Sequence, residues 1–360
     1  MRVVVVLGTR PEIVKMAPVI RELERRHADY FILHTGQHYS YNLDRVFFEQ
    51  LRLPDARYNL DVGSGSHAEE TAKILVGAER VLREEKPDVV LVEGDTNSVL
   101  GGALAAAKLR IRVGHVEAGL RSYDRTMPEE LNRILTDHSS DHLFAPTEGA
   151  RSILLGEGIA EDKVYVTGNT IVDAVHQNLE IAREKGDTLG RLDLVPGDYL
   201  LVTLHRQENV DDRDRFASIL KGLEGLAAEQ GLPIVYPAHP RSVKRMDQFN
   251  MEPGRIRVIE PVDFLGFLQL ESNARLILTD SGGVQEEACV LGVPCVTLRD
   301  NTERPETIEV GANRLAGASP QRILDEAALM AGRRGGWVNP FGDGKAAEKI
   351  VDIVLEGRHG

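Results

Sequence analysis

The sequence has little cysteine and no long apolar run. Cys289 and Cys295 are the only two cysteines among 360 residues, and their spacing matches neither a zinc-binding pair nor a redox pair. The apolar N-terminal run Val3–Leu7 is too short for the core of a signal peptide. No run approaches the ~18 apolar residues of a membrane span. We therefore expect two buried thiols in a cytoplasmic protein that has no membrane partner.

Positive charge is also in short supply. The chain has 43 Lys and Arg residues against 56 Asp and Glu residues, which gives a formal net charge of −13. A surface with this balance repels phosphate backbones, so nucleic acid is not an expected partner. An anionic ligand would have to be met by a local cluster of Arg and Lys side chains.

The length of the chain predicts two domains at ~150 residues each. Short β-branched runs alternate with longer amphipathic stretches, which is typical of α/β proteins with parallel sheets. We predict two Rossmann-like domains, 1–185 and 198–344, separated by the turn-rich stretch Lys185–Asp198. A final helix is predicted in 345–360, and whether it packs back on the first domain stays open at this level. The predicted strands are Val3–Leu7, Tyr30–His34, Val89–Val92, Val113–Val116, His142–Ala145, Val164–Thr167, Tyr199–Leu204, Ile234–Tyr236, Arg257–Ile259, Leu276–Thr279 and Cys295–Leu298.

The loop after the first strand is charged but matches no nucleotide-binding fingerprint. Ligands of open α/β sheets bind beyond the carboxyl ends of the strands. Gly8–Glu12 has neither the dinucleotide nor the P-loop glycine pattern, so no nicotinamide cofactor is expected. Arg10 and Lys15 are either solvated charges or contacts to an anion, since cations are unfavourable at a helix N-terminus.

Three carboxylates follow later strands of the first half. Asp95 and Glu117 come directly after predicted strands, and Glu129 follows in the next loop. Each alone is typical of a helix cap or an ion pair, but together they provide the groups that acid/base chemistry needs. The segment Asp137–His142 straddles a helix end and a strand start, which disfavours a metal site there.

The second half places further candidates at strand ends. His205 follows one strand, and the Ser281–Gly283 turn opens a helix whose free amides suit a phosphate. Glu287 in the same helix is positioned to face a sugar hydroxyl. In the first half, the polar turn His34–Tyr39 is another candidate for ligand contact.

Eight segments, in this order and at these spacings, resemble the non-hydrolysing UDP-N-acetylglucosamine 2-epimerases over nearly the whole chain. They are GTRPEIVKMAP (8–18), EGDT (93–96), GHVEAGLR (114–121), MPEELNR (127–133), the Leu204-His205-Arg206 step, DSGGVQEEA (280–288), RDNTERPE (299–306) and NPFGDG (339–344).

The resemblance implies a glycosyltransferase-B type fold, with two Rossmann-like domains facing a cleft. It implies reversible 2-epimerisation of UDP-N-acetylglucosamine to UDP-N-acetylmannosamine by elimination and re-addition of UDP through a 2-acetamidoglucal, with no cofactor and no metal. The implied catalytic candidates are Asp95, Glu117, Glu129 and His205. The implied substrate-binding candidates are Arg10 and Lys15 near the diphosphate, Phe267 at uracil, Ser281, Gly282 and Gly283 at phosphate, Glu287 at ribose and Arg304 at the phosphates.

Two alternatives remain at this level. The HTGQH string (34–38) and the EGDTN helix start also resemble epimerases of UDP-diacetamido sugar uronic acids. A glycosyltransferase of the same fold is the other alternative, although no acceptor-facing basic and apolar patch is legible in the sequence. A UDP-sugar is the expected small-molecule partner, and a homodimer is the expected assembly.

Overall fold

The computed structural model describes residues 1–36 and 41–357, and for residues 41–43 it describes the backbone alone. Residues 37–39 of the predicted ligand-contact turn therefore lie outside the described residues. Over the described residues, the strands are β1 Arg2–Leu7, β2 Asp29–His34, β3 Tyr58–Asn59, β4 Val89–Glu93, β5 Arg112–Val116, β6 His142–Ala145, β7 Val164–Val166, β8 Leu200–Thr203, β9 Ile234–Pro237, β10 Ile256–Ile259, β11 Leu276–Thr279, β12 Cys295–Thr297 and β13 Asn313–Leu315.

The helices lie between the strands and after the last of them. They are α1 Arg10–Arg25, α2 Tyr41–Gln50, α3 His67–Glu85, α4 Asn97–Lys108, α5 Pro128–Ser139, α6 Glu148–Gly156, α7 Thr170–Lys185, α8 Thr188–Arg191, α9 Gln207–Val210, α10 Arg213–Gln230, α11 Pro240–Gln248, α12 Phe264–Asn273, α13 Gly282–Leu291, α14 Pro305–Glu309, α15 Pro320–Met330 and α16 Ala346–Glu356. Within the described ranges, none of these helices combines the length and apolar character that crossing a bilayer requires.

Two parallel sheets organise the described residues. One has the order β3-β2-β1-β4-β5-β6-β7 and the other has the order β10-β9-β8-β11-β12-β13. Each contains the Rossmann arrangement, in which the third, second and first strands of a unit precede the fourth, fifth and sixth. The prediction of an α/β fold with two Rossmann-like sheets is confirmed.

Burial on both faces explains why the strands are continuous apolar runs. Val3–Leu7 is at most 1% exposed, and its backbone pairs in parallel with β2 on one side and β4 on the other. Helices cover both faces of such a sheet, so the strands lack a polar alternation. The edge strands β3 and β13, short and partly polar, were not among the predicted strands.

The chain divides into two compact units, 1–177 with the segment from Phe341 onward, and Asn178–Pro340. The division falls inside α7, before the stretch Lys185–Asp198 where the sequence places the boundary. The end of α7 belongs with the second unit because Gln269 donates hydrogen bonds to the carbonyls of Ala182 and Gly186, at 2.5 and 2.7 Å.

The C-terminal helix α16 belongs to the first unit. It packs against α1, where Arg26 pairs with Asp352 at 2.5 Å. The buried carboxylate of Asp173 accepts hydrogen bonds from the backbone N–H groups of Ala346 and Ala347, at 3.2 and 3.1 Å. Asp173 therefore serves α16 in the way that an N-cap residue would.

Candidate active site

Each sheet has a point where the strand order reverses, and the loops there are the first place to look for a ligand site. In the first sheet this point lies between β1 and β4, which are followed by the loops that carry Arg10 and Asp95. In the second sheet it lies between β8 and β11, which are followed by His205 and the Ser281–Gly283 turn. The topology thus places six of the twelve predicted site residues at the two reversal points.

Glu12, which the sequence analysis did not single out, links the two loops at the first reversal point. Its carboxyl accepts hydrogen bonds from the Gly8 N–H at 2.6 Å, from the Thr9 hydroxyl at 2.9 Å and from the Thr96 hydroxyl at 2.7 Å. Burial raises the pKa of Glu12 from 4.5 to about 7, although these hydrogen bonds oppose the shift. The loops after β1 and β4 are therefore held together by one buried carboxyl.

We expect Glu12→Gln to remove a pH dependence of folding stability. The folded pKa of about 7 lies above the unfolded value of 4.5, so the native state binds the extra proton in this interval. The wild-type free energy of unfolding should therefore fall as pH rises through this window, by roughly 3 kcal/mol at most. Urea unfolding at about pH 5 and about pH 8 measures the effect.

A matched control for this experiment is Glu348→Gln. Glu348 also lies in the first turn of a helix, α16, but is exposed. In the control, the free energy of unfolding should change with pH as it does in the wild type. In Glu12→Gln this change should be smaller. Equal slopes for Glu12→Gln and the wild type would mean that Glu12 is ionised throughout this range.

Lys15, Glu93 and Glu117 form a buried charged cluster. The Lys15 ammonium pairs directly with Glu117 and lies 3.4 Å from the Glu93 carboxylate. Glu93 ends β4 and is 2% exposed, while Glu117 follows β5 and is 8% exposed. Burial raises the pKa of Glu93 well above its usual range, Lys15 opposes the shift, and the hydrogen-bonded Glu117 adds to it. Lys15 is thus packed against carboxylates, and its place near a diphosphate stays a prediction.

Helix α5 holds the loop that carries Asp95. Asn132 donates a hydrogen bond to the Asp95 carbonyl at 2.9 Å, and Arg133 pairs with the Asp95 carboxylate at 2.5 Å. Glu129 lies one turn earlier in the same helix and is half-buried, whereas its neighbour Glu130 is buried and accepts hydrogen bonds from the backbone of the loop before α5. Glu130 is therefore a structural carboxylate, while Glu129 is the more accessible one.

The buried side chain of His115 contacts the loop that carries Asp95. His115 has one ring nitrogen 2.6 Å from Asp137 and the other 2.9 Å from the carbonyl of Gly94. Burial opposes ionisation of Asp137, but His115 and Arg121 outweigh it and keep the Asp137 pKa below its usual range. Asp137 is thus committed to an internal network. Over residues 1–36 and 41–357, no three His, Cys, Asp or Glu side chains are grouped to hold a metal ion.

Arg10 lies at the start of α1 with its side chain 42% exposed. Its guanidinium stands 4.9 Å from the centre of the Phe47 ring, and its Nε is 3.6 Å from the buried carboxylate of Asp44. The aromatic face and the carboxylate hold the side chain at the carboxyl end of the sheet while a large part of it stays accessible to a ligand.

In the second unit, Asp280 orients His205. The Asp280 carboxylate is fully buried and lies 2.9 Å from Nδ1 of His205. It also accepts hydrogen bonds from the backbone N–H groups of His205 and Arg206 and from the Asn209 amide. Burial opposes ionisation of Asp280, but these partners keep its pKa below the usual range. The His205 ring is half-exposed, and its Nε2 is the nitrogen presented for chemistry.

The turn that follows β11 leaves the start of α13 open. Ser281 is the N-cap, and the next two residues are Gly282 and Gly283. A Cβ added to Gly282 would come no closer than 3.8 Å to another atom, and one added to Gly283 no closer than 3.9 Å. Neither glycine is therefore required by packing within the described residues, which leaves ligand access to the helix N-terminus as a reason for both.

Two further charged pairs flank this helix. Arg304 pairs with the buried carboxylate of Glu286 at 2.7 Å. Burial, together with the charge of the half-buried Glu287, raises the pKa of the fully buried Glu271 of α12 well above its usual range. Phe267 in the same helix α12 is half-buried against the apolar residues of this unit. Glu271 and Glu286 were missed by the sequence analysis.

Comparisons with known proteins agree with this architecture. The family model described as UDP-N-acetylglucosamine 2-epimerase matches residues 21–355. A UDP-N-acetylglucosamine 2-epimerase of Methanocaldococcus jannaschii is 54% identical, with all of both chains covered. A UDP-2,3-diacetamido-2,3-dideoxy-D-glucuronate 2-epimerase of Pseudomonas aeruginosa is 40% identical, with 99% of this chain and all of that protein covered.

The solved structures give the same result. The crystal structure of the M. jannaschii UDP-GlcNAc 2-epimerase in complex with UDP-GlcNAc and UDP superposes with a TM-score of 0.88, at 54% identity, and covers 99% of this chain and all of that one. The agreement extends over both sheets, and the match to the family model spans nearly the full length. The chain therefore belongs to the UDP-N-acetylglucosamine 2-epimerase family of isomerases.

Proposed function

We propose that this protein interconverts UDP-N-acetylglucosamine and UDP-N-acetylmannosamine by eliminating UDP and adding it back. The placement of Asp95 and Glu117 carries the proposal, because they follow the adjacent parallel strands β4 and β5 at one edge of one sheet. Similarity to the M. jannaschii enzyme over the whole chain supports the same substrate.

The proton on sugar carbon 2 is not next to a carbonyl, so a carboxylate can remove it only once positive charge builds at the neighbouring carbon 1. When the bond from carbon 1 to the UDP oxygen breaks, its electron pair leaves with the β-phosphate and positive charge builds at carbon 1. A carboxylate then removes the carbon 2 proton, and that C–H electron pair forms the double bond of 2-acetamidoglucal. Protonation of carbon 2 from the opposite face and return of UDP to carbon 1 complete the epimer.

The residues divide between the two ends of this reaction. Asp95, Glu117 and Glu129 are the candidates for proton transfer at carbon 2, and His205, oriented by Asp280, is the candidate proton donor to the departing phosphate oxygen. The remaining assignments follow the family resemblance: Arg10, Lys15, Ser281, Gly282, Gly283 and Arg304 for the diphosphate, Phe267 for uracil and Glu287 for ribose.

One incubation tests the function. Purified protein is mixed with UDP-N-acetylglucosamine without any acceptor, nicotinamide or added metal, and the anomeric region is followed by proton NMR. We expect UDP-N-acetylmannosamine to appear. The same final ratio of the two UDP-sugars should be reached from either of them as the starting substrate. Unchanged substrate, together with calorimetric binding of UDP, would instead indicate a nucleotide-sugar-binding protein.

The uronic acid substrate is a second candidate, favoured by the 40% identity to the P. aeruginosa enzyme. Both substrates carry an acetamido group at carbon 2, so the same chemistry serves either. Measuring kcat/KM for each UDP-sugar separates them, and we expect the higher value for UDP-N-acetylglucosamine. A reversed ratio would move the assignment to the diacetamido uronate.

Gly283→Ala tests the phosphate site. We expect the variant to fold normally, since the added Cβ meets no atom closer than 3.9 Å, and to bind UDP about tenfold or more weakly. The loss follows because the methyl group would crowd the amides at the start of α13. Isothermal titration with UDP measures it.

Gly149→Ala is the matched control for this variant. Gly149 occupies the same position in α6, two residues after the N-cap Thr147, and is also exposed. Its added Cβ meets the Thr147 hydroxyl at 3.5 Å. The control should bind UDP like the wild type. Equal UDP affinities for both variants would mean that the phosphate does not bind at the α13 N-terminus.

A further inference from the structure

The cluster of Lys15, Glu93 and Glu117 contains one more acidic group than it has cations. The side chains of Glu93 and Glu117 are 2% and 5% exposed, and that of Lys15 is 14% exposed. With both carboxyls ionised, two buried negative charges would lie against one ammonium, which leaves a net negative charge in the cluster. One of the two carboxyls must therefore hold a proton.

The geometry decides which carboxyl holds it. Lys15 pairs directly with Glu117 but lies 3.4 Å from Glu93, so the ammonium favours the charged form of Glu117 more strongly. Glu12, on α1 beside Lys15, adds a further acidic group that acts against ionisation of Glu93. Among the described residues, Lys15, Glu117 and Glu12 are the charged groups with the largest effect on Glu93, and together they leave the proton there.

We propose that Glu93 is a positioning residue that keeps its proton and donates it in a hydrogen bond to Glu117, a role that rests on the proposed epimerase function. Glu117 has a backbone φ of +67°, in the left-handed region that non-glycine residues rarely adopt. Its side chain leaves a strained turn and depends on its partners for orientation. Glu93 and Lys15 fix it from two sides and keep it ionised as a base.

Glu93 is too deeply buried to touch a substrate, so its effect should pass through Glu117 alone. Two substitutions separate the hydrogen bond from the charge. Glu93→Gln keeps the shape and supplies an amide N–H in place of the acid proton. Glu93→Met keeps a similar length but donates nothing.

We expect Glu93→Gln to retain kcat within about threefold, and Glu93→Met to lower kcat by about 100-fold with little change in KM. The pH profile provides a second readout. In the wild type, ionisation of Glu93 at high pH removes the hydrogen bond and lowers kcat, whereas Glu93→Gln has no such proton to lose. In the kcat profile of Glu93→Gln, the fall at high pH should therefore shift to a higher pH or disappear.

Infrared difference spectroscopy tests the proton without any turnover. The spectrum of the wild type minus that of Glu93→Gln at neutral pH should contain a protonated-carboxyl band. Glu85→Gln, at a buried carboxylate that is paired with Arg2 and Arg57, should give no such band. This measurement does not depend on which sugar the wild type acts on. A failure of the proposed function can therefore be distinguished from a failure of the proposal about Glu93.

Three outcomes would overturn the proposal. A Glu93→Gln variant as slow as Glu93→Met, with normal UDP binding, would mean that Glu93 acts as a charge. A Glu93→Met variant as fast as the wild type would mean that Glu93 has no role in catalysis. Absence of the carboxyl band would mean that Glu93 is ionised.

Discussion

Replacement of Glu117 by glutamine is expected to lower kcat by about 100-fold or more, because the amide cannot accept the carbon 2 proton. UDP should still bind, since the proposed nucleotide contacts other than Lys15, which pairs with Glu117, lie elsewhere. The fold should also persist, as glutamine preserves the shape of the side chain. Steady-state kinetics combined with calorimetric titration of UDP separate the two effects.

Glu85→Gln is the control for charge removal at a buried carboxylate. Glu85 and Glu117 are both 8% exposed, but Glu85 ends α3 ahead of β4, at the other end of the sheet. The control should lose stability through its ion pairs and keep kcat. A Glu117→Gln enzyme that binds UDP and turns over at the wild-type rate would make Glu117 an ion-pair partner of Lys15 and nothing more.

Asp95 needs a different comparison because it is paired with Arg133. Asp95→Asn removes both the carboxylate and its ion pair, whereas Arg133→Met keeps the Asp95 carboxylate and removes the ion pairs of Arg133 with Asp95 and Glu130. If Asp95 transfers a proton, its variant should be much slower than the arginine variant. Equal losses of kcat would show that Asp95 serves to anchor its loop to α5.

The strands were predictable because each central strand of a parallel sheet is buried on both faces and reads as an apolar run. Val3–Leu7 and Leu276–Thr279 show this most clearly. β3 and β13 lie at sheet edges, where pairing on one side alone tolerates short and polar segments such as Tyr58–Asn59. Their pairing depends on the neighbouring strand, which a local pattern does not reveal.

The residues of the candidate site likewise fall into those that the sequence predicts and those that it does not. Asp95, Glu117 and His205 were found because they follow strands, and chain order in an open α/β sheet places such residues at one edge. Glu93, Asp280 and the pair His115 and Asp137 were not assigned roles. Their importance comes from burial and from partners tens of residues away, as in the contact between Asp280 and His205. Distances of this kind arise from packing of the whole unit.

Lys15 illustrates the difference between a motif and its surroundings. In the sequence it is a cation at a helix start, which suggests an anionic ligand. In the structure its ammonium contacts Glu117 and approaches Glu93. Within the described residues it thus lies against the protein's own acidic groups, and its contact with a diphosphate stays a prediction.

Epimerisation in heavy water is expected to place one deuterium at carbon 2 of every product molecule. Elimination removes the original proton to one group, and re-addition delivers a proton to the opposite face from another. If the enzyme is equilibrated in heavy water before substrate is added, the delivering group already carries deuterium. A single turnover with enzyme in excess, read by NMR and mass spectrometry, therefore shows the label even where exchange with solvent is slow.

The exposures of the two leading carboxylates make this design necessary. The side chain of Asp95 is 31% exposed and that of Glu117 is 5% exposed, so we expect a proton on Glu117 to exchange with solvent more slowly. Product that keeps protium at carbon 2 in both reaction directions would require one group to remove and return the same proton. Incubating 2-acetamidoglucal with UDP then decides the mechanism. Formation of the UDP-sugar would show that 2-acetamidoglucal is a competent intermediate. If no UDP-sugar forms and protium is completely retained at carbon 2, elimination and re-addition are excluded.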